Sequence, residues 1–166
     1  MWFETIESPI GDILLAGEGD ALTSLDFAGF EGRMDELLRI RFGEIERTAA
    51  TGTKAADRLS AYFKGDLTAL DEISVAPNGT EFQQQTWTAL RKVAPGQTVS
   101  YGELAQRIGR PKASRAVGMA NARNPIGLVV PCHRVIGTNG KLTGYAGGLE
   151  RKRWLLQHEG AQLSLL

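Results

Sequence analysis

The chain has 166 residues, of which 42% are apolar and 23% charged, and its 19 basic and 19 acidic side chains leave no formal net charge. That size suits one large domain or two small ones sharing an interface, and the composition is ordinary for a globular protein with a packed core. There is no run of about 18 apolar residues to span a membrane, and Met1-Trp2-Phe3-Glu4 lacks the basic and then apolar pattern of a secretory leader, so a cytoplasmic protein is expected.

In chain order, Trp2–Ile6 and Ile13–Ala16 read as a hairpin around the turn residues Ser8-Pro9-Ile10-Gly11. Leu22–Phe27 follows a Gly-Glu-Gly-Asp turn and reads as a third strand. Met34, Leu37, Leu38 and Phe42 have helical spacing, as do Ala55, Leu59, Tyr62 and Phe63, where Gly65 ends the pattern. Val75–Gly79 reads as a strand end and a linker, dividing the chain into domains 1–78 and 79–166. The second is mainly helical. Thr80 with Gln83, and Ser100 with Glu103, are capping-box pairs. Phe82, Trp87, Leu90 and Val93 form the stripe of the first helix, and Pro95-Gly96 breaks it. Helices through Ile108 and over about Ala113–Ala122, joined by Gly109-Arg110-Pro111, have the outline of a helix-turn-helix. The later helix is slim, with Ala113, Ser114, Ala116, Gly118 and Ala120, and Arg115 is the charge among them. Such a helix suits tight packing in a core, or entry into a DNA groove with Arg115 filling the space of a displaced base. The fold class is α+β.

The zero net charge hides a division. Residues 1–78 hold 7 Lys/Arg against 15 Asp/Glu, a net of −8, and residues 79–166 hold 12 against 4, a net of +8. A basic second half fits a polyanionic partner, and equally fits attraction between the halves.

One cysteine and two histidines cannot supply a disulfide and supply a zinc site poorly. Cys132 therefore acts as a thiol or as a small buried hydrophobe. Leu128–Val130 reads as a buried strand ended by Pro131, which places Cys132 at the edge of a packed element, both fixed and accessible. His133 and Arg134 follow at once. A free thiol is only a few per cent thiolate at neutral pH, and a nearby imidazole or cation raises that fraction. Neighbours in an extended chain point to opposite sides, so His133 would reach the sulfur through a water or across a turn, and would need an orienting carboxylate. Of Glu81, Glu103, Glu150 and Glu159, the best placed is Glu159, at the end of the Trp154-Leu155-Leu156 stripe.

Pro131-Cys132-His133-Arg134-Val135-Ile136, with Asn124-Pro125 before it and His158-Glu159-Gly160 after it, resembles the O6-alkylguanine-DNA alkyltransferase family. Ser100–Ala105, Ala113–Gly118 and Gly144–Leu149 fit the same family in order, so the resemblance covers essentially residues 79–160. The first half matches in its length and its Ser8-Pro9-Ile10-Gly11 start. The resemblance implies irreversible, single-turnover transfer of an alkyl group from O6-alkylguanine, or from O4-alkylthymine, in double-stranded DNA to Cys132. It implies that His133 takes the thiol proton through a water, that Glu159 orients His133, and that Asn124 braces the turns. Tyr101 contacts the guanine and aids its departure. Carbonyls of Cys132 and Val135 recognise the exocyclic amine, and Tyr145, Ala146 and Gly147 wall the alkyl pocket. Ser114, Arg115, Ala116 and Gly118 contact DNA from the minor groove, with Arg115 replacing the flipped base. The first half would be a ribonuclease-H-like sheet domain, and the protein a monomer, with cooperative loading on DNA left open.

The chemistry is consistent with these implied roles. O6 leaves poorly unless a proton or hydrogen bond meets its charge, the target atom lies inside the duplex and must be extruded, and a thioether has no easy hydrolytic exit. No metal and no cofactor are expected. Gly127 stands where some relatives have proline, which opens one wall of the pocket to larger groups, and Ala146 replaces a serine. A damage sensor, a regulator activated by alkylation and a thiol hydrolase remain as alternatives. Sensor relatives lack the cysteine, the regulator would need an appended domain, and nothing here resembles a hydrolase's oxyanion apparatus.

Overall fold

Alternation of inward and outward residues sets the sheet. In a computed structural model, which describes residues 1–163, β1 (Trp2–Ile6), β2 (Ile13–Glu18) and β3 (Ala21–Phe27) form an antiparallel meander. Two short strands complete a mixed sheet of order β4-β1-β2-β3-β5: β4 (Thr48–Ala49) runs parallel to β1, and β5 (Ser74–Val75) parallel to β3. The β2–β3 register shifts at Ala16/Gly17. A Cβ on Gly17 would stand 2.2 Å from the Trp2 ring, so the close approach there requires glycine.

Two helices belong with this sheet. α1 (Glu31–Phe42) begins one turn before the predicted Met34, because polar Glu31–Arg33 carries no apolar periodicity to mark it. Its Met34 and Leu38 pack with Ala16, Phe3 and Leu14. α2 (Lys54–Phe63) buries Ala55, Leu59 and Tyr62. The Thr53 hydroxyl caps it, accepting from Ala56 N–H, while donating to Glu4, whose carboxylate also accepts from Gly52 and Thr53 N–H.

The mainly helical part holds α3 (Glu81–Arg91), α4 (Tyr101–Arg107), α5 (Ser114–Ala122) and α6 (Leu149–His158). Both sequence-read capping boxes are present, at Thr80/Gln83 and Ser100/Glu103. Trp87 is buried and its indole N–H donates to Ala120 O at 2.9 Å, tying α3 to α5. α4 and α5 pack on one another as a helix-turn-helix.

Contacts divide the described chain into two units. One is Met1–Gly79 with Pro125–Val129, and the other is Thr80–Asn124 with the chain from Val130 onward. Within the first unit, Leu25 N–H donates to Pro125 O at 2.9 Å and Leu25 bridges Ile126. Leu128–Val130 is no strand. Leu128 adopts φ 71°, and Val129 and Cys132 N–H reach back two residues, to Gly127 O and Val130 O, both at 2.8 Å. The run is apolar because it is buried, and its polar backbone is satisfied by tight turns instead of a ladder. No helix among the described residues is long and apolar enough to cross a membrane.

Candidate active site

A 3-10 turn over Cys132–Arg134 follows Pro131. The turn overrides the alternation of an extended chain, and buries all three side chains: Cys132 retains 6% exposure and His133 none. Backbone bonds lock its far end to the chain ahead of α4. Val99 N–H donates to Arg134 O and Ile136 N–H to Val99 O, both at 2.9 Å. Val99 directly precedes the cap residue Ser100, so the same bonds bring Tyr101, the first residue of α4, into register with the cysteine turn.

Glu159, at the C-cap of α6, reaches into this turn. Its Oε2 lies 2.9 Å from His133 Nε2 and 2.8 Å from Arg134 Nη2, and its Oε1 accepts from Arg134 Nε at 2.9 Å. The fork is bidentate, the strongest form of a carboxylate–guanidinium contact. Burial alone would raise the Glu159 pKa, but its contacts with His133 and Arg134 outweigh burial and hold the carboxyl well below the usual range. Burial pushes His133 below its ordinary 6.5, and the nearby Arg134 and Lys152 cations add to this against the pull of Glu159. His133 is therefore neutral at neutral pH, and Arg134 is the cation that keeps Glu159 ionised. An ionised carboxylate can only accept, so Nε2 carries the imidazole proton and Nδ1 presents its lone pair. Nδ1 is buried and has no protein hydrogen-bond partner among the described residues.

Asn124 Nδ2 donates to Val130 O at 2.7 Å, supporting the approach to the cysteine. Tyr145 is half-buried, its ring edge-on to His133 with centroids 6.4 Å apart. Gly147 is buried and its carbonyl accepts from Arg151 Nη1 at 3.0 Å, whereas Ala146 is exposed. On α5, Ser114, Arg115 and Ala116 are exposed. Gly118 lies against Tyr101, where a Cβ would stand 3.8 Å from the ring.

Two participants escaped the sequence reading. From sequence Arg134 is only a cation near the thiol; in the structure it is the partner of Glu159. Lys152 is one of three adjacent cations in α6, Arg151-Lys152-Arg153, yet it is wholly buried. Its ammonium donates to Val135 O at 2.6 Å and Thr143 O at 3.0 Å, with Thr143 Oγ1 at 3.4 Å. Burial lowers its pKa to about 8, with the Cys132 charge pulling the other way. A clue lay in spacing: Lys152 precedes the buried Leu155 and Leu156 by three and four residues, on their face of the helix. Among the described residues no group of three or more His, Cys, Asp or Glu side chains could hold a metal ion.

Comparisons with known proteins match both parts of the chain. A family model described as "6-O-methylguanine DNA methyltransferase, DNA binding domain" matches residues 81–161, and one described as "6-O-methylguanine DNA methyltransferase, ribonuclease-like domain" matches residues 1–77. A methylated-DNA--protein-cysteine methyltransferase of Salmonella typhimurium is 47% identical, over 95% of this chain and 94% of its own length. One of Methanosarcina acetivorans is 49% identical, over 97% and 99%. The crystal structure of Mycobacterium tuberculosis OGT in complex with DNA superposes with a TM-score of 0.83 at 46% identity, covering 96% of this chain and 93% of that one.

Proposed function

This chain belongs to the 6-O-methylguanine DNA methyltransferase family, and from that premise we propose that Cys132 is its alkyl acceptor, with His133 and Glu159 as the base and its orienting group. The protein repairs DNA by moving an alkyl group onto its own cysteine, and the chain has one cysteine. The observation that carries the residue assignment is the buried His133–Glu159 contact of 2.9 Å, with His133 directly after that thiol and its Nδ1 without a hydrogen-bond partner among the described residues.

The step balances as follows. The Cys132 proton passes to His133 Nδ1 through a bridging water. Sγ then bonds the alkyl carbon, the carbon–O6 bond breaks, and its electron pair stays on the purine. A proton from the Tyr101 phenol meets that charge, and the proton held by His133 is the one that restores Tyr101. The products are a thioether and guanine. The sequence holds no second thiol to take the alkyl group from the thioether, so each molecule acts once.

The DNA surface is α5 with the basic residues around it. Ala113 offers no side-chain cap to the first turn of α5, so its N–H groups suit phosphate oxygens. Arg107, Arg110, Lys112, Arg115 and Arg123 are exposed around it. The slim Ser114-Arg115-Ala116 surface fits minor-groove approach, with Arg115 filling the gap left by an extruded O6-alkylguanine. The Val135 carbonyl keeps a second lone pair beside its bond from Lys152, which suits the guanine amine. A reactive lone thiol lasts best in a reducing compartment, which supports action in the cytoplasm.

One incubation tests this reading. The protein is mixed with an oligonucleotide duplex carrying O6-methylguanine, and its intact mass is taken. The expected result is one added methyl, located on Cys132, at a stoichiometry of one. Repeated turnover would point to hydrolysis, and binding without mass change to a sensor; either defeats the assignment. Cys132→Ser should bind the duplex and transfer nothing.

A further inference from the structure

The ammonium of Lys152 meets the phenol of Tyr101 through one side chain, Thr143. Thr143 Oγ1 lies 3.4 Å from Lys152 Nζ and 3.4 Å from Tyr101 Oη. Taking Cys132 as acceptor and Tyr101 as proton donor, as proposed above, we infer that Thr143 is a positioning residue whose hydroxyl sets the direction of the Tyr101 proton.

The argument rests on what each group can do. A lysine ammonium has three donors and no acceptor. Two of them are taken by the carbonyls of Val135 and Thr143, and the third faces Thr143 Oγ1. Lys152 is wholly buried, so solvent does not compete. Its pKa of about 8 leaves it charged at neutral pH. Thr143 Oγ1 therefore accepts from the ammonium, and its single proton is directed at the other neighbour, Tyr101 Oη. The phenol oxygen then accepts from Thr143, and its own proton points away, toward the purine. If the lysine were absent or reversed, Tyr101 could donate to Thr143 and waste the proton the leaving group needs. Both 3.4 Å contacts are at the long end of hydrogen-bonding distance. They add little to stability, and their effect is on direction.

The test uses the full chain in single-turnover transfer from a duplex carrying O6-methylguanine. Thr143→Val keeps the side-chain shape and removes the hydroxyl. It should slow transfer about tenfold, a small part of the roughly 10²–10⁴ that a positioned acid supplies, with duplex affinity unchanged. Thr143→Ser should restore the rate. The Thr143→Val deficit should shrink when the leaving purine is a more acidic 8-aza analogue, which needs its proton less. On a Tyr101→Phe background, Thr143→Val should cost nothing further. A wild-type rate in Thr143→Val, failure of Thr143→Ser to rescue, equal deficits for both leaving purines, or additive losses with Tyr101→Phe would each overturn the inference. These outcomes are read against a wild type that methylates Cys132. A wild type that does not would instead sink the parent assignment.

Discussion

Glu159 serves two partners at once, and removing its charge should expose both dependences. Glu159→Gln retains polar contacts but leaves the Arg134 guanidinium buried without a counter-charge. Breaking a buried pair from one side costs about 3–5 kcal/mol, which for a chain of this size lowers Tm by roughly 10 °C. The amide can also donate to Nε2, which releases the tautomer that leaves Nδ1 open. Transfer should therefore slow by more than lost stability explains, measured at a temperature where the variant is still folded. A variant with wild-type Tm would show that the pair is not a buried one.

The same residues fix the response to acid. His133 has its folded pKa below 6.5 and Glu159 has its own below 4.5. For both, the unfolded chain binds protons that the folded chain refuses, so stability rises with pH through each window. Their contribution is complete above about pH 6.5. It is lost first through His133 as pH falls below 6.5, and then through Glu159 below 4.5. Urea unfolding at pH 7.5 and 5.5 should show lower stability at 5.5, a difference that should diminish in His133→Phe. Equal values in the wild type would contradict a neutral buried imidazole.

At the scale of elements, the proposed role of α5 is to serve the search for the lesion and not its chemistry. Arg115 is exposed on that helix, and the hydrogen bonds described above for His133 and Arg134 do not involve it. Arg115→Ala should slow repair of duplex O6-methylguanine at least tenfold, a loss equivalent to about 1.4 kcal/mol. Reaction with free O6-benzylguanine should be unaffected. Equal slowing of both would show that Arg115 does not assist extrusion. The elements also show what kind of signal a sequence carries. Caps at Thr80 and Ser100 were legible because both partners lie within four residues. The link from His133 to Glu159 spans 26 residues, and was reachable only because the acidic candidates were few. Leu128–Val130 read as a strand because a buried turn and a buried strand share an apolar composition. What tells them apart is the Asn124 amide on Val130 O, a side chain six residues away standing in for a ladder partner. Lys152 stayed hidden because lysine in a charged helix normally lies in solvent, and its carbonyl partners come from turns 17 and 9 residues upstream.

For the whole molecule, the charge division favours the second half as the part that meets DNA. A duplex attracts the +8 half and repels the −8 half, so the acidic part weakens association yet disfavours wrong approaches. Each phosphate neutralised by a cation contributes about −0.9 to the slope of log K against log salt. If four of the exposed cations around α5 meet phosphates, the slope is about −3.6 and affinity falls roughly 10²-fold between about 50 and 200 mM salt. Lys112→Ala should make the slope shallower by about 0.9, whereas Lys64→Ala, an exposed lysine of the acidic half, should leave it unchanged. Fluorescence anisotropy with Cys132→Ser as the common background measures binding without consuming the lesion. If Lys64→Ala changes the slope as much as Lys112→Ala does, the duplex also contacts the first half, and the basic half does not bind it alone.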